Sequence, residues 1–93
     1  MSYQKSDKAE VNVLIKISSK KISQLVLEPW GEEIQIKLND EVRMCGVGPA
    51  ANSFIELDCG EESICVTSWK DSTLSVSING NTLDTASAVI PSL

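Results

Sequence analysis

The residues that could carry chemistry in this chain are cysteines and carboxylates, because the sequence contains no histidine. Its absence removes the commonest general base and the usual nitrogen ligand of zinc, together with Ser-His and Cys-His catalysis. The three cysteines, Cys45, Cys59 and Cys65, lack the C-x-x-C spacing of a zinc knuckle. We therefore predict no catalytic residue, no metal site and no cofactor, and we interpret the protein as a non-enzyme.

Carboxylates are concentrated in "IELDCGEES". Glu56 and Asp58 alternate along one predicted strand and should share its solvent side, and Glu61 and Glu62 follow in a turn. Such groups could serve acid–base chemistry or bind calcium, but no calcium-loop pattern is present. A solvated acidic surface is the usual meaning of such a run.

Cys59 and Cys65 flank a turn at Gly60 and could lie across a hairpin from one another. Two interpretations stay open, namely small apolar fillers near the core or a pair that forms a disulfide after oxidation. The cysteine count is odd, and the opening residues lack the apolar segment of a signal peptide. These features predict reduced thiols and a cytoplasmic location.

The stretch "LEPWGEE" places a tryptophan between a proline and a glycine and surrounds it with carboxylates. Pro29 and Gly31 suit a hairpin turn. The ring of Trp30 either caps one end of the core or forms an aromatic anchor for a partner, since tryptophan is enriched at interface hot spots. The predicted partner contacts are Glu28, Trp30, Glu32 and Glu33, with Trp69 as a second aromatic contact.

The charge composition argues against two classes of partner. Eight basic residues stand against thirteen acidic ones, which gives a net charge of −5. An acidic field repels a phosphate backbone, so we predict no nucleic-acid partner. No segment approaches the roughly 18 apolar residues of a membrane helix, so we predict no membrane partner. A 93-residue chain makes one domain whose small core would gain from self-association.

Period-two alternation of apolar and polar residues runs through "EVNVLIKIS", "EIQIKL" and "STLSVSI". This period is typical of strands, and "KKISQLVLE" is also interpreted as a strand that stops at Pro29. Seven or eight short strands separated by turn residues predict an all-β fold, either a small antiparallel β-sandwich or a barrel. The predicted organisation is a flexible tail over residues 1–8 and a single β domain over residues 9–93.

Turn residues predict how the strands pair. Asn79-Gly80 predicts a two-residue hairpin that sets Val76 opposite Leu83. "LNDEV" predicts a hairpin with a three-residue loop, which sets Leu38 opposite Val42 and keeps the apolar side continuous.

Other connections are less defined. At "LEPWGEE" two registers stay open, with either Val26 or Leu25 opposite Ile34, so the inward-facing set among Leu25, Val26 and Leu27 stays open too. The segment "GVGPAANS" predicts a loop that crosses between layers, and "ASAVIPSL" predicts a last short strand.

The chain from Ile22 to Asp84 resembles a group of small bacterial β-proteins of unknown function. The most specific part of the resemblance is the L-E-P-W-G-E turn at Leu27–Glu32. The chain departs from the group's pattern at Asn39-Asp40, where Pro-Gly is expected, and at Val47–Pro49, where an acidic residue is usual. The resemblance implies a small β fold, and it implies no activity and no catalytic residue.

Taken together, these features predict a binding protein that associates with a second copy of itself or with another protein. An alternative is a cupin-like small barrel that binds a small molecule without a histidine metal site, with Cys65 and Trp69 lining its pocket. A third hypothesis is an acidic protein that masks a basic surface, which would make binding strongly salt-dependent.

Overall fold

The computed structural model describes residues 8–85, and its regular elements are all β-strands, which confirms the predicted fold class. In this part of the chain no helix has the length and apolar character needed to cross a membrane. The strands are β1 (Lys8–Lys16), β2 (Gln24–Glu28), β3 (Glu32–Gln35), β4 (Glu41–Pro49), β5 (Ile55–Cys59), β6 (Ser63–Ser68), β7 (Thr73–Ile78) and β8 (Asn81–Thr82).

The strands form two four-stranded sheets, in the orders β1-β4-β7-β8 and β3-β2-β6-β5. All neighbours are antiparallel except β2 and β6, which run parallel. Apolar side chains from both sheets meet in one core, so the fold is the sandwich of the two predicted alternatives. The buried core residues are Ile17, Leu25, Leu27, Ile36, Val42, Met44, Ile64, Val66, Leu74 and Val76.

Strand β1 shows the predicted alternation along the edge of the first sheet. Val13 and Ile15 pack against the core and are half-buried, whereas Leu14 points outward and is 53% exposed. The strand begins at Lys8, which pairs with Pro49. Lys8 therefore belongs to the sheet and not to the predicted tail, and residues 1–7 lie outside the described residues.

The Asn79-Gly80 hairpin forms as predicted. Both turn residues have positive φ, 52° at Asn79 and 87° at Gly80, as a type I′ turn requires. The amide of Leu83 donates to the carbonyl of Val76 at 2.9 Å, which confirms that these residues face each other.

The "LEPWGEE" hairpin adopts the second of the two open registers, with Leu25 opposite Ile34. Leu25 and Leu27 are both 0% exposed and point into the core, and Val26 points outward. Gly31 has φ 70°, and its amide donates to the carbonyl of Leu27 at 2.7 Å. The left-handed conformation explains why glycine occupies this turn.

The predicted hairpin at "LNDEV" is wrong, because β3 and β4 lie in different sheets and Leu38 does not face Val42. Strand β4 has nine residues and pairs along its whole length with β1, which the four-residue β3 could not match. The connection crosses between the sheets instead, with Asn39 at φ 74°. The carboxylate of Asp40 holds this crossing, because it accepts hydrogen bonds from the amide of Lys37 in the same connection and from Nδ2 of Asn79 in the β7–β8 turn.

The predicted loop at "GVGPAANS" is correct in crossing between sheets but wrong in its start, because β4 continues to Pro49. The glycines are inside the strand because other groups pack against it. A Cβ at Gly46 would lie 2.8 Å from Cζ3 of Trp69, and one at Gly48 would lie 2.6 Å from Cα of Ser72. The predicted last strand, "ASAVIPSL", falls on residues 86–93, outside the described residues.

Candidate functional site

Charge is distributed unevenly between the two sheets. The strands and hairpin turns of the second sheet, residues 24–35 and 55–68, contain no lysine or arginine. They carry seven carboxylates: Glu28, Glu32, Glu33, Glu56, Asp58, Glu61 and Glu62. The first sheet carries both signs, for example Lys16, Arg43 and Glu41.

The strand register places four of these carboxylates on the outward side of the second sheet. In one row across the sheet Thr67 lies between Glu28 and Glu56, because Thr67 pairs with both glutamates. The next row consists, in order across the strands, of Glu33, Val26, Cys65 and Asp58. With strands about 4.8 Å apart, the four acids spread over roughly 15 by 7 Å. We call Glu28, Glu33, Glu56 and Asp58 the acidic face.

The acidic face is not neutralised within the described part of the chain. No side-chain hydrogen bond or ion pair joins its four carboxylates to another residue of 8–85. The ion pairs Lys37–Asp40 and Arg43–Glu41 both lie elsewhere. Neutral residues separate the acids within each row, so their mutual repulsion is weak enough for the fold to tolerate. The result is an outward negative potential that no cation of residues 8–85 neutralises.

The turn residues predicted as one binding site are divided between the two sides of the second sheet. Glu28 and Glu33 share the outward side with Val26 and belong to the acidic face. Glu32 pairs with Leu27, a core residue, and so lies on the inward side at the end of the sheet. The register thus separates Glu32 from the two glutamates with which it was grouped.

Trp30 is half-buried and packs against the core, which matches the interpretation of its ring as a cap on the sandwich. Its Nε1 is buried and has no hydrogen-bond acceptor among the described residues. A buried N–H without an acceptor costs free energy. The contacts that hold the ring among the described residues are therefore its apolar contacts with the core. The contact of Trp30 with a binding partner remains a prediction, and it would use the exposed part of the ring.

Trp69 does not form the predicted second contact, because it is only 2% exposed. It follows the end of β6 and turns inward, where its ring fills the space left by Gly46. Its Nε1 donates to the carbonyl of Pro49 at 2.7 Å. Sequence reasoning missed this role, although glycines at alternate positions of an apolar strand are a signal that a large side chain packs above it.

The pocket predicted between Cys65 and Trp69 is absent from the described structure, because Cys65 points outward and Trp69 inward. Cys59 pairs with Ile64, whereas Cys65 pairs with Asp58. Cys59 and Cys65 therefore point to opposite sides of their hairpin, which is the wrong geometry for a disulfide. All three cysteines are free thiols in the structure.

Nucleophilic and metal chemistry find little support in residues 8–85. Burial raises the pKa of the Cys45 thiol, and the charge and hydrogen bond of Glu10 raise it further, so the reactive thiolate is disfavoured. No group of three or more metal-ligating side chains occurs in this range. The buried hydroxyls of Ser68 and Ser72 bond to each other, and Ser72 also donates to the carbonyl of Trp69. These hydroxyls satisfy one another and hold a turn.

A shallow groove of about 330 Å³ crosses the outward side of the first sheet. Its lining includes Leu14, Arg43, Cys45 and Ser75. This volume lies at the lower limit of small-molecule pockets, which are roughly 300–1,000 Å³ and enclose their ligand. An open groove on a sheet surface offers less enclosure than such a ligand needs.

The comparisons with known proteins leave the site to be interpreted from its own geometry. No family model matches the chain, and neither a curated protein nor a solved structure matches it.

Proposed function

We propose that this protein is a non-enzymatic binding domain that docks a basic protein surface onto the acidic face. The observation that carries the proposal is the charge of the second sheet, whose strands and hairpin turns hold seven carboxylates and no lysine or arginine. Four of those carboxylates share one outward side without a counterion from residues 8–85.

Electrostatic complementarity explains what such a face can do. Uncompensated carboxylates steer a positively charged partner and raise its association rate. Val26, Cys65 and Thr67 lie between the acids and are half-buried, so they supply a flat apolar and hydroxyl surface for close contact. The combination favours lysine and arginine side chains that reach the carboxylates while their aliphatic parts cover the middle of the sheet.

The proposal places the protein in the cytoplasm. The three free thiols at Cys45, Cys59 and Cys65 support this location, since a reducing compartment keeps them in that form. The half-buried Trp30 at the end of the same sheet supplies a second contact for a partner that extends beyond the acidic face.

The test is affinity capture of the tagged protein from its own cells, with the captured proteins quantified by mass spectrometry. A face variant removes three charges, and a control variant removes three carboxylates that lie off the acidic face. The face variant is Glu28→Gln, Glu56→Gln and Asp58→Asn; the control is Glu41→Gln, Asp71→Asn and Asp84→Asn.

The wild type and the control should capture the same basic protein, and the face variant should lose most of it. High salt should release the partner from the wild type, because the attraction is between exposed charges. Equal capture by the face variant, or a partner that high salt does not release, would contradict the proposal.

A further inference from the structure

The two sheets present four edges in the described part of the chain, and these edges differ in their capacity to pair with another strand. β8 has only two residues. β3 carries Glu32 and Glu33, and β5 carries Glu56 and Asp58, so a copy of either strand would add carboxylates to a sheet whose strands and hairpin turns contain no lysine or arginine. β1 is different, because it has nine residues and carries both signs of charge.

The inward side chains of β1 are only partly covered by the molecule itself. Val11, Val13 and Ile15 are all half-buried, although they point toward the core. Leu14, on the outward side, is 53% exposed. In addition, an edge strand leaves about half of its peptide groups without a neighbour in the sheet. The described chain ends on the other side of this sheet, where Leu83 bonds to β7.

The sequence of β1 is complementary to itself in one antiparallel register. If Val13 faces Val13 of a second copy, Glu10 faces Lys16 on the outward side, and the two-fold symmetry repeats this pair. In the same register Val11 faces Ile15 on the inward side. Shifting the register to centre on Asn12 would set Lys8 opposite Lys16, which places like charges together.

We propose that β1 pairs with β1 of a second copy of this chain, antiparallel and centred on Val13, so that the two first sheets become one continuous eight-stranded sheet. Two Glu10–Lys16 pairs fix the register, and the half-buried Val11 and Ile15 cover each other across the junction. This surface is separate from the acidic face, so the dimer would leave that face open to a partner.

The test is sedimentation velocity of the purified protein from low micromolar to near-millimolar concentration, with charge-reversal variants. The wild type should shift from monomer to dimer. Lys16→Glu turns both attractive pairs into repulsive ones and should weaken the dimer roughly tenfold. The double variant Glu10→Lys/Lys16→Glu restores the opposite charges and should recover the wild-type affinity to within about threefold.

Controls separate this inference from the proposed function and from folding. Lys70→Glu makes the same change in charge as Lys16→Glu, but in an exposed turn, and should leave the dimer affinity unchanged. Thermal unfolding of Lys16→Glu under monomeric conditions checks that the fold survives. A wild type that stays monomeric throughout overturns the inference, and so does a double variant as weak as Lys16→Glu. The capture experiment on the acidic face can fail or succeed independently.

Discussion

Glu28 and Glu56 stand on either side of Thr67 in one row across the outward side of the second sheet. They come from strands β2 and β5, which are 27 or more residues apart in sequence at every point and are joined only through β6. The two carboxylates flank a hydroxyl, and residues 8–85 place no cation beside them. Their mutual repulsion is weak, and a cation placed between them would replace it with attraction.

A lysine placed between these two carboxylates should therefore stabilise the protein. Thr67→Lys is expected to raise the free energy of unfolding by about 0.2–1 kcal/mol relative to Ser77→Lys, which adds the same charge beside Arg43. Urea unfolding at low salt measures the difference, and high salt should abolish it. Equal free energies for the two variants at low salt would mean that the row carries no appreciable negative potential.

We expect Asp40 to make the stability of the protein sensitive to acid. Hydrogen bonds from the side chain of Asn79 and the backbone amide of Lys37 lower the pKa of this carboxyl below its ordinary value of 3.8; burial opposes the effect, and the Lys37 ammonium adds to it. A lowered folded pKa contributes stability that is complete above pH 3.8 and is lost as the pH falls through the folded value.

The variant Asp40→Asn should be less stable than the wild type near neutral pH and should lose less stability on acidification. Unfolding midpoints measured from neutral pH down to strongly acidic conditions test both parts. Asp84→Asn, at an exposed position, is the matched control and should follow the wild type. Parallel curves for Asp40→Asn and the wild type would show that Asp40 does not titrate differently on folding.

Gly46 should not tolerate a side chain. Its added Cβ would lie 2.8 Å from Trp69, 3.1 Å from Ser68 and 3.3 Å from Ile55, so the core must shift to accept it. Gly46→Ala is expected to cost about 1–3 kcal/mol, the usual cost of overpacking. Gly60→Ala is the control, because the nearest atom there would be 3.5 Å away. Denaturant unfolding should separate the two, and a Gly46→Ala protein as stable as Gly60→Ala would contradict the packing of Trp69.

The features that were predicted correctly from the sequence depend on residues that are close together in the chain. Alternation in β1 needs only neighbouring residues, and the Asn79-Gly80 turn fixes its own register because two adjacent positions require positive φ. The turn at Asn39-Asp40 was also interpreted from its local residues, as a hairpin between its two flanking strands. The strand that pairs with β4 is instead determined by which long strand is available along its whole length. That strand is β1, which precedes the turn by more than twenty residues.

The candidate site also depends on pairing between strands that are distant in sequence, which local patterns do not predict. Both acidic stretches are visible in the sequence, yet only the parallel pairing of β2 with β6 brings Glu28 and Glu56 into one row. The same pairing separates Glu32 from its neighbours. Trp69 was predicted as a partner contact, and its buried position was missed because it lies just beyond β6, where strand alternation no longer determines the side to which a residue points.

The two tryptophans should respond differently to loss of the indole N–H. Trp69→Phe removes a 2.7 Å hydrogen bond to Pro49 and leaves a gap in a fully buried site, whereas Trp30→Phe removes a buried donor that has no acceptor among the described residues. Trp69→Phe should therefore cost at least about 1 kcal/mol more than Trp30→Phe in urea unfolding. A Trp30→Phe variant that is the less stable of the two would indicate that the Trp30 donor has a partner in solution.

The most direct measurement for the acidic face is native mass spectrometry of the tagged protein isolated gently from its own cells, at low and at high ionic strength. We predict an added mass of kilodaltons at low ionic strength, belonging to a basic protein. This mass should be lost at high ionic strength and from the variant carrying Glu28→Gln, Glu56→Gln and Asp58→Asn. An added mass of only hundreds of daltons, or a partner that remains bound to that variant, would contradict it.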